Sequence, residues 1–168
     1  MKATIAVLNR LERDGVVKQY AVAGGVAATF YMEPLTTYDL DVFILVESKP
    51  GKLISLAPIY DYLAACGFKT EREYVMIHGM PVQFIPTYNR LSEEALEQAR
   101  TVKYSGAPVR VIRPEHVLAI MLQTGRPKDL IRARQLAESA GLNRAYLLEV
   151  LKRHNLTSRW RALRRKSG

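Results

Sequence analysis

Two carboxylates, Asp39 and Asp41, stand at the head of the run Asp39-Leu-Asp-Val-Phe-Ile-Leu-Val46. Side chains alternate across a β-strand, so two acids at i and i+2 project from one face while Leu40 and Val42 turn the other way, into a core. Unit charges about 4 Å apart repel by roughly 4 kcal/mol at an effective dielectric of about 20. Such a pair asks for a divalent cation or a shared proton. Magnesium prefers hard carboxylate oxygens and is usually held by one or two of them together with substrate phosphates; manganese takes the same donors. Upstream, Gly24-Gly25 follows Tyr20-Ala-Val-Ala23 and precedes the alanine-rich Val26 to Tyr31. Glycines there let backbone N–H groups at a helix N-terminus approach a phosphate closely. Phosphate and metal would then come from one nucleoside triphosphate. Taken singly, a Gly-Gly is more often just a turn and an Asp-x-Asp more often a solvated strand end.

The elements that would hold these residues are legible along the chain. Ile5, Leu8 and Leu11 recur at helical spacing, predicting an amphipathic helix that ends around Asp14-Gly15. Tyr20 to Ala23 reads as a short strand, followed by a tight turn and a helix of about two turns that stops near Pro34. The Asp39–Val46 run is β-branched, aromatic and apolar from Leu40, the pattern of a strand in the middle of a sheet. After Lys49-Pro50-Gly51, residues 53 to 66 read as a helix with Cys66 in the core and Gly67 as its stop. Glu71–Ile77 and Val82–Ile85 read as a hairpin around His78-Gly79. Leu91 to Ala99 is helical with a Ser92 cap and Glu93-Glu94 in the first turn, and Val109–Ile112 is a further strand. From Pro114 the pattern is wholly helical: 114–122, 127–140, 143–154 and 158–165.

The order strand, Gly-Gly, helix, Asp-x-Asp, apolar strand resembles the DNA polymerase β-like nucleotidyltransferase superfamily. Gly125-Arg126-Pro127-Lys128-Asp129 resembles the Arg-x-Lys-Asp segment of AbiEii-like bacterial nucleotidyltransferases, many of them linked to toxin–antitoxin systems. The resemblance spans residues 20 to 140. It implies an α/β (α+β) nucleotidyltransferase fold, with a small mixed sheet flanked by helices in residues 1–113 and a helical C-terminal region with a basic tail in 114–168. It also implies that Gly24, Gly25, Arg126 and Lys128 bind the nucleotide, and that Asp39 and Asp41 hold the metal and are catalytic. Residues 126–129 read equally as a helix start, with Pro127 in the first turn and Asp129 complementing the dipole.

The chain departs from that pattern twice. Active members usually carry a third carboxylate on a later strand, but the corresponding strand here, Pro81-Val-Gln-Phe-Ile-Pro86, offers Gln83. An amide neither accepts a proton at neutral pH nor neutralises a second cation. Met121 stands where related proteins often have a lysine, and it offers packing but no charge. Glu47, Glu71, Glu73, Lys103 and Lys128 are the substitutes within sequence reach. His78, His116 and His154 have no metal-ligand spacing. Tyr74, Tyr88 and Tyr104 suit either base stacking or the edge of the core.

The balance of 48% hydrophobic and 24% charged residues over 168 positions is that of a folded globular chain. No segment has the length of a signal peptide or a membrane span, so cytoplasmic localisation is expected, with no membrane partner. One cysteine excludes an intrachain disulfide. The net charge of +9 is concentrated after Glu149, in Lys152, Arg153, Arg159, Arg161, Arg164, Arg165 and Lys166. That asymmetry suits a polyanion such as RNA, or a solubilising tail. Trp160 among the arginines would stack on a nucleic acid or dock the last helix. The functions in view are nucleotidyl transfer to a hydroxyl on RNA or protein, the same fold as a nucleotide- or RNA-binding module without catalysis, and a toxin–antitoxin partner acting through protein contacts.

Overall fold

The computed structural model describes residues 1–33, 37–46, 54–138 and 141–165. The chain opens with α1 (Lys2–Arg13), β1 (Gln19–Val22), α2 (Gly24–Ala28) and β2 (Leu40–Leu45). Next come α3 (Ala57–Ala65), β3 (Lys69–Glu71), β4 (Tyr74–Ile77), β5 (Met80–Pro86), α4 (Arg90–Glu97), β6 (Arg100–Tyr104) and β7 (Ala107–Val111). Four helices finish it: α5 (Pro114–Thr124), α6 (Pro127–Ala137), α7 (Arg144–Arg153) and α8 (Thr157–Arg165). Pro34, Glu47, residues 49–51, Leu53, Ala140 and Lys166, on which some sequence expectations fall, lie outside the described residues. No described helix is long and apolar enough to cross a membrane.

The strands form one seven-stranded mixed sheet in the order β3-β4-β5-β2-β1-β7-β6. β2 occupies the middle, as its almost continuously apolar run predicts: antiparallel to β1 on one side, parallel to β5 on the other. Leu40, Val42 and Ile44 are at most 1% exposed. α1 lays Ile5, Leu8 and Leu11 into the core and packs on β1 and β7, while α5 packs against α2, α4, α6 and α7. Burying a side chain of this size contributes about 1.5–3 kcal/mol, so the apolar spacing of α1 fixes the face it presents.

Four local expectations are corrected. The stretch 71–77 is not one strand: Arg72, at φ 58°, turns the chain so that β3 and β4 form a separate hairpin. The cap of α4 is Asn89, which accepts from the Ser92 N–H at 2.9 Å, while the Ser92 hydroxyl closes the reciprocal bond as its N3 residue. α2 is five residues long rather than two turns. Cys66 is exposed rather than in the core and accepts from Arg10 Nη2 at 3.3 Å, because α3 buries Ile59 and Leu63. Strand β6 went unread in the sequence, since Arg100 to Tyr104 is an edge strand with no buried residue.

Candidate functional site

A cleft of about 560 Å³ opens where the N-terminal end of β2, the turn into α2, strands β4 and β5, and the α5–α6 corner meet. Gly24, Gly25, Asp39, Asp41, Arg126 and Lys128 all line it, so the six residues singled out in the sequence converge. Gln83 and Met121 line it as well.

The sheet register sets the floor. Asp41 lies opposite Gln83 across the parallel β2–β5 pair, and the Ala23 N–H donates to the Asp41 carbonyl at 2.8 Å. Phe43 and Ile85, two residues further along and also in register, supply an apolar surface beside the carboxylates.

Gly24 has a steric role that the sequence alone does not disclose. Its φ is +60°, in the left-handed region that glycine enters freely, and a Cβ there would overlap the Asp41 carboxylate, with Cγ only 2.8 Å away. A Cβ on Gly25 would lie 3.0 Å from Thr37 Oγ1 and 3.3 Å from Arg132 Nη1. The Gly-Gly step therefore seats the carboxylate of β2 directly against the backbone turn.

Asp41 is electrostatically unsettled. Burial and then the Asp39 charge push its carboxyl up to about 6, against the opposing pull of Arg126 and Lys128. Thr37 Oγ1 lies 3.3 Å from both the Asp39 carbonyl and its Oδ1, and Tyr74 lines the cleft where it feels the same carboxylate's charge. Desolvation and the Asp39 charge raise the Tyr74 pKa. Thr37 was missed as a site residue, because a hydroxyl that orients a carboxylate leaves no sequence spacing to read; Tyr74, read as a base-stacking or core-edge tyrosine, lines the cleft.

The α5–α6 corner forms the opposite wall. Gly125 ends α5 at φ 67° and Pro127 opens α6, turning Arg126 and Lys128 toward the cleft. Arg126 Nε donates to Asp129 Oδ2 at 2.6 Å, and Thr124 Oγ1 lies 2.9 Å from the same oxygen. Buried Asp129 thus holds the corner together, and Arg126 is an exposed cation already engaged on one edge. Lys128 is exposed, and its charge is felt at Asp41. Of the proposed substitutes, Glu71, Glu73 and Lys103 are exposed and do not line the cleft; Lys103 sits on β6 at the far edge of the sheet.

The donor set suits one magnesium ion shared with substrate phosphates: two carboxylates, one of them short of a positive partner, with an amide where a second cation would need an acid. Among the described residues, no three or more His, Cys, Asp or Glu side chains converge as metal ligands. His78 sits in the β4–β5 turn at φ 51°, while His116 and His154 both meet Glu94, away from the cleft.

No protein-family profile matches the chain, and no curated protein matches it in sequence. Similar solved structures include an antigenic nucleotidyltransferase-like protein from Paracoccidioides brasiliensis, at TM-score 0.60 and 16% identity, covering 96% of this chain and 92% of that one. The solution structure of the antibiotic-resistance factor ANT(2'')-Ia matches at TM-score 0.54 and 17% identity over 99% and 96% of the two chains. A crystal structure of ANT(2'')-Ia in complex with adenylyl-2''-tobramycin matches at TM-score 0.51 and 14% identity, over 99% of each chain. With its seven-stranded mixed sheet flanked by helices and these neighbours, the chain has the nucleotidyltransferase fold.

Proposed function

We propose that this protein binds a nucleoside triphosphate with magnesium or manganese in the cleft and transfers the nucleotidyl group to a hydroxyl acceptor on RNA or protein. The observation that carries the reading is the Gly24–Asp41 contact. A backbone turn that only glycine fits is pressed against a carboxylate that burial, and then its like-charged neighbour, push up to about 6. Such an arrangement is costly for stability alone, and perturbed carboxylates in a cleft mark functional sites.

In this reading the acceptor oxygen bonds to the α-phosphorus, the bond from that phosphorus to the bridging oxygen breaks, and pyrophosphate leaves. Asp39 and Asp41 would hold the metal, with Thr37 fixing the orientation of Asp39. Backbone N–H groups at Gly24 and Gly25 lie against the phosphates, and Arg126 and Lys128 offset the charge that builds on them. The bound cation would neutralise charge at the transferring phosphoryl group and align the attacking oxygen. Gln83 cannot take the acceptor proton, which passes to water in the open cleft. ANT(2'')-Ia in complex with adenylyl-2''-tobramycin, a compound with an adenylyl group at a 2'' position, supports a small-domain nucleotidyl transfer of this kind. The Arg-x-Lys-Asp resemblance supports a role like that of AbiEii-like proteins in toxin–antitoxin systems.

Gln83 in register with Asp41, and Met121 in the cleft wall, favour a second reading in which the cleft binds nucleotide without transferring it. Incubation with each α-32P-labelled nucleoside triphosphate, magnesium, and either total RNA or cell protein separates the two. Label transfer with pyrophosphate release supports catalysis. Magnesium-dependent binding with no label on any acceptor leaves the binding reading.

A further inference from the structure

The cleft does not end at Arg126. Thr124, in its wall, also lines an adjoining groove with Gly125, Arg134, Arg159 and Leu163, between α8 and the α5–α6 corner. Arg134 and Leu163 in turn line a groove of about 450 Å³ beside Trp160 and Arg164, and those last two continue onto a surface with Arg161 and Arg165. Shared walls thus join the catalytic cleft to the tip of α8 in one track.

The charge along it is one-sided. From Thr157 to Arg165, α8 carries four arginines and no acid, and beyond the cleft Glu138 is the one acid lining the track among the described residues. The arginines have different duties. Arg159 Nη1 donates to the carbonyls of Leu122 at 2.8 Å and Gln123 at 2.6 Å, fastening α8 beside the cleft rim. The Nε of Arg134 is buried with no hydrogen-bond partner, a donor whose desolvation is uncompensated. Arg161 and Arg165 are exposed. Half-buried Trp160 lies between the two grooves, with the Arg164 guanidinium 5.8 Å from its ring centroid.

We infer that the track binds a single-stranded RNA and that this RNA is the acceptor. Proteins that hold single strands combine a positive groove following the phosphates with aromatic faces on which bases stack; here the arginines provide the first and Trp160 the second. An acidic peptide would satisfy the charge but does not pair every anion with a planar base, the combination that an aromatic face set among arginines suits. A strand laid along α8 and past Arg159 would enter the cleft, where exposed Tyr88 meets its terminal base and its hydroxyl faces Asp39 and Asp41. The acceptor assignment rests on the nucleotidyl-transfer reading; RNA binding along the track does not, and it is measured without nucleotide so that the two fail separately.

Trp160 is the single tryptophan of the chain, so its fluorescence reports the track directly. The experiment titrates the full chain, free of nucleotide and magnesium, with a 16-nucleotide unstructured RNA at several potassium chloride concentrations. Saturable quenching is expected, weakening with salt by a slope of about 0.7 per phosphate engaged. Arg161→Glu/Arg165→Glu should bind roughly tenfold or more weakly and lower the slope by about 1.4, with an unchanged circular-dichroism spectrum because both side chains are exposed. Asp39→Asn/Asp41→Asn should bind RNA at least as tightly as the parent, because it removes two negative charges beside the strand's end. Absence of quenching, equal affinity in the charge-reversed variant, or equal competition by a poly-glutamate peptide of matched charge would overturn the inference. So would label transfer that goes to protein rather than RNA and is undiminished in the charge-reversed variant.

Discussion

Two acids in this molecule, Asp41 and Glu94, are removed from bulk water under opposite conditions. Glu94 on α4 receives Arg153 Nη2 at 2.8 Å and Nε at 3.1 Å, His154 Nε2 at 2.7 Å and His116 Nε2 at 3.1 Å. Burial would raise its pKa, but these bonds outweigh it and hold the carboxyl down to about 2. It ties α4, α5 and α7 together. His116, fully buried, is kept on the neutral side by burial despite the Glu94 bond. Asp41, with a like charge beside it and cations only at a distance, is pushed the other way, to about 6. A carboxylate saturated by donors is cement, whereas one set beside a like charge in a cleft is suited to a cation that would offset both.

Substitution should separate the two most sharply. Asp41→Asn, like Asp39→Asn, is expected to lower nucleotidyl transfer at least about thousandfold, or roughly 4 kcal/mol of lost transition-state stabilisation. The melting temperature should stay level or rise, because a repulsion is removed. Glu94→Ala should do the reverse. It strands three donors at a helix junction, and with the side chain 18% exposed the cost is roughly 2–3 kcal/mol, or roughly 4–12 °C in melting temperature for a chain of this size. Transfer per folded molecule should persist. Equal activity loss in both variants would erase the distinction.

Acidity offers a smaller contrast, with opposite signs. Asp41 has a folded-state pKa above its unfolded value of 3.8, so its contribution is fully present below 3.8 and is lost as pH rises through about 6. That shift is worth up to about 2 kcal/mol after discounting for solvent. Glu94 is depressed below 4.5, so its contribution is present above 4.5 and lost as pH falls through about 2. Urea unfolding of the metal-free protein between pH 4 and 7 should show a falling component that Asp41→Asn removes and Glu94→Gln leaves in place. Magnesium affinity should weaken below about pH 6, where protons compete for Asp41.

The smallest expected change is Gln83→Glu. A third carboxylate in register with Asp41 should lower stability without metal by about 1 kcal/mol and tighten magnesium binding. A rise in transfer rate would identify the missing acid as the limit on catalysis; tighter metal binding with no transfer would favour the binding reading.

The sequence carried the fold where pattern and packing coincide. The apolar run 42–44 names a central strand because a strand buried on both sides there leaves no alternation, and Gly24-Gly25 and Asp-x-Asp name the cleft because glycine and paired acids are costly elsewhere. Strand β6 and the break at Arg72 escaped notice, since exposed edges and turns are set by the chain's path rather than by burial. The Glu94 junction was invisible for a further reason: its members come from residues 94, 116, 153 and 154, which only α4, α5 and α7 packing together can bring to one point.

The central claim is that Asp39 and Asp41 await a metal-bound nucleotide, and calorimetric titration tests it most directly. Each nucleoside triphosphate would be added to the protein with and without magnesium, then to Asp39→Asn/Asp41→Asn. Saturable binding that requires magnesium and disappears in the double variant is the predicted result. Binding that is indifferent to magnesium, or equally tight in the double variant, would contradict it.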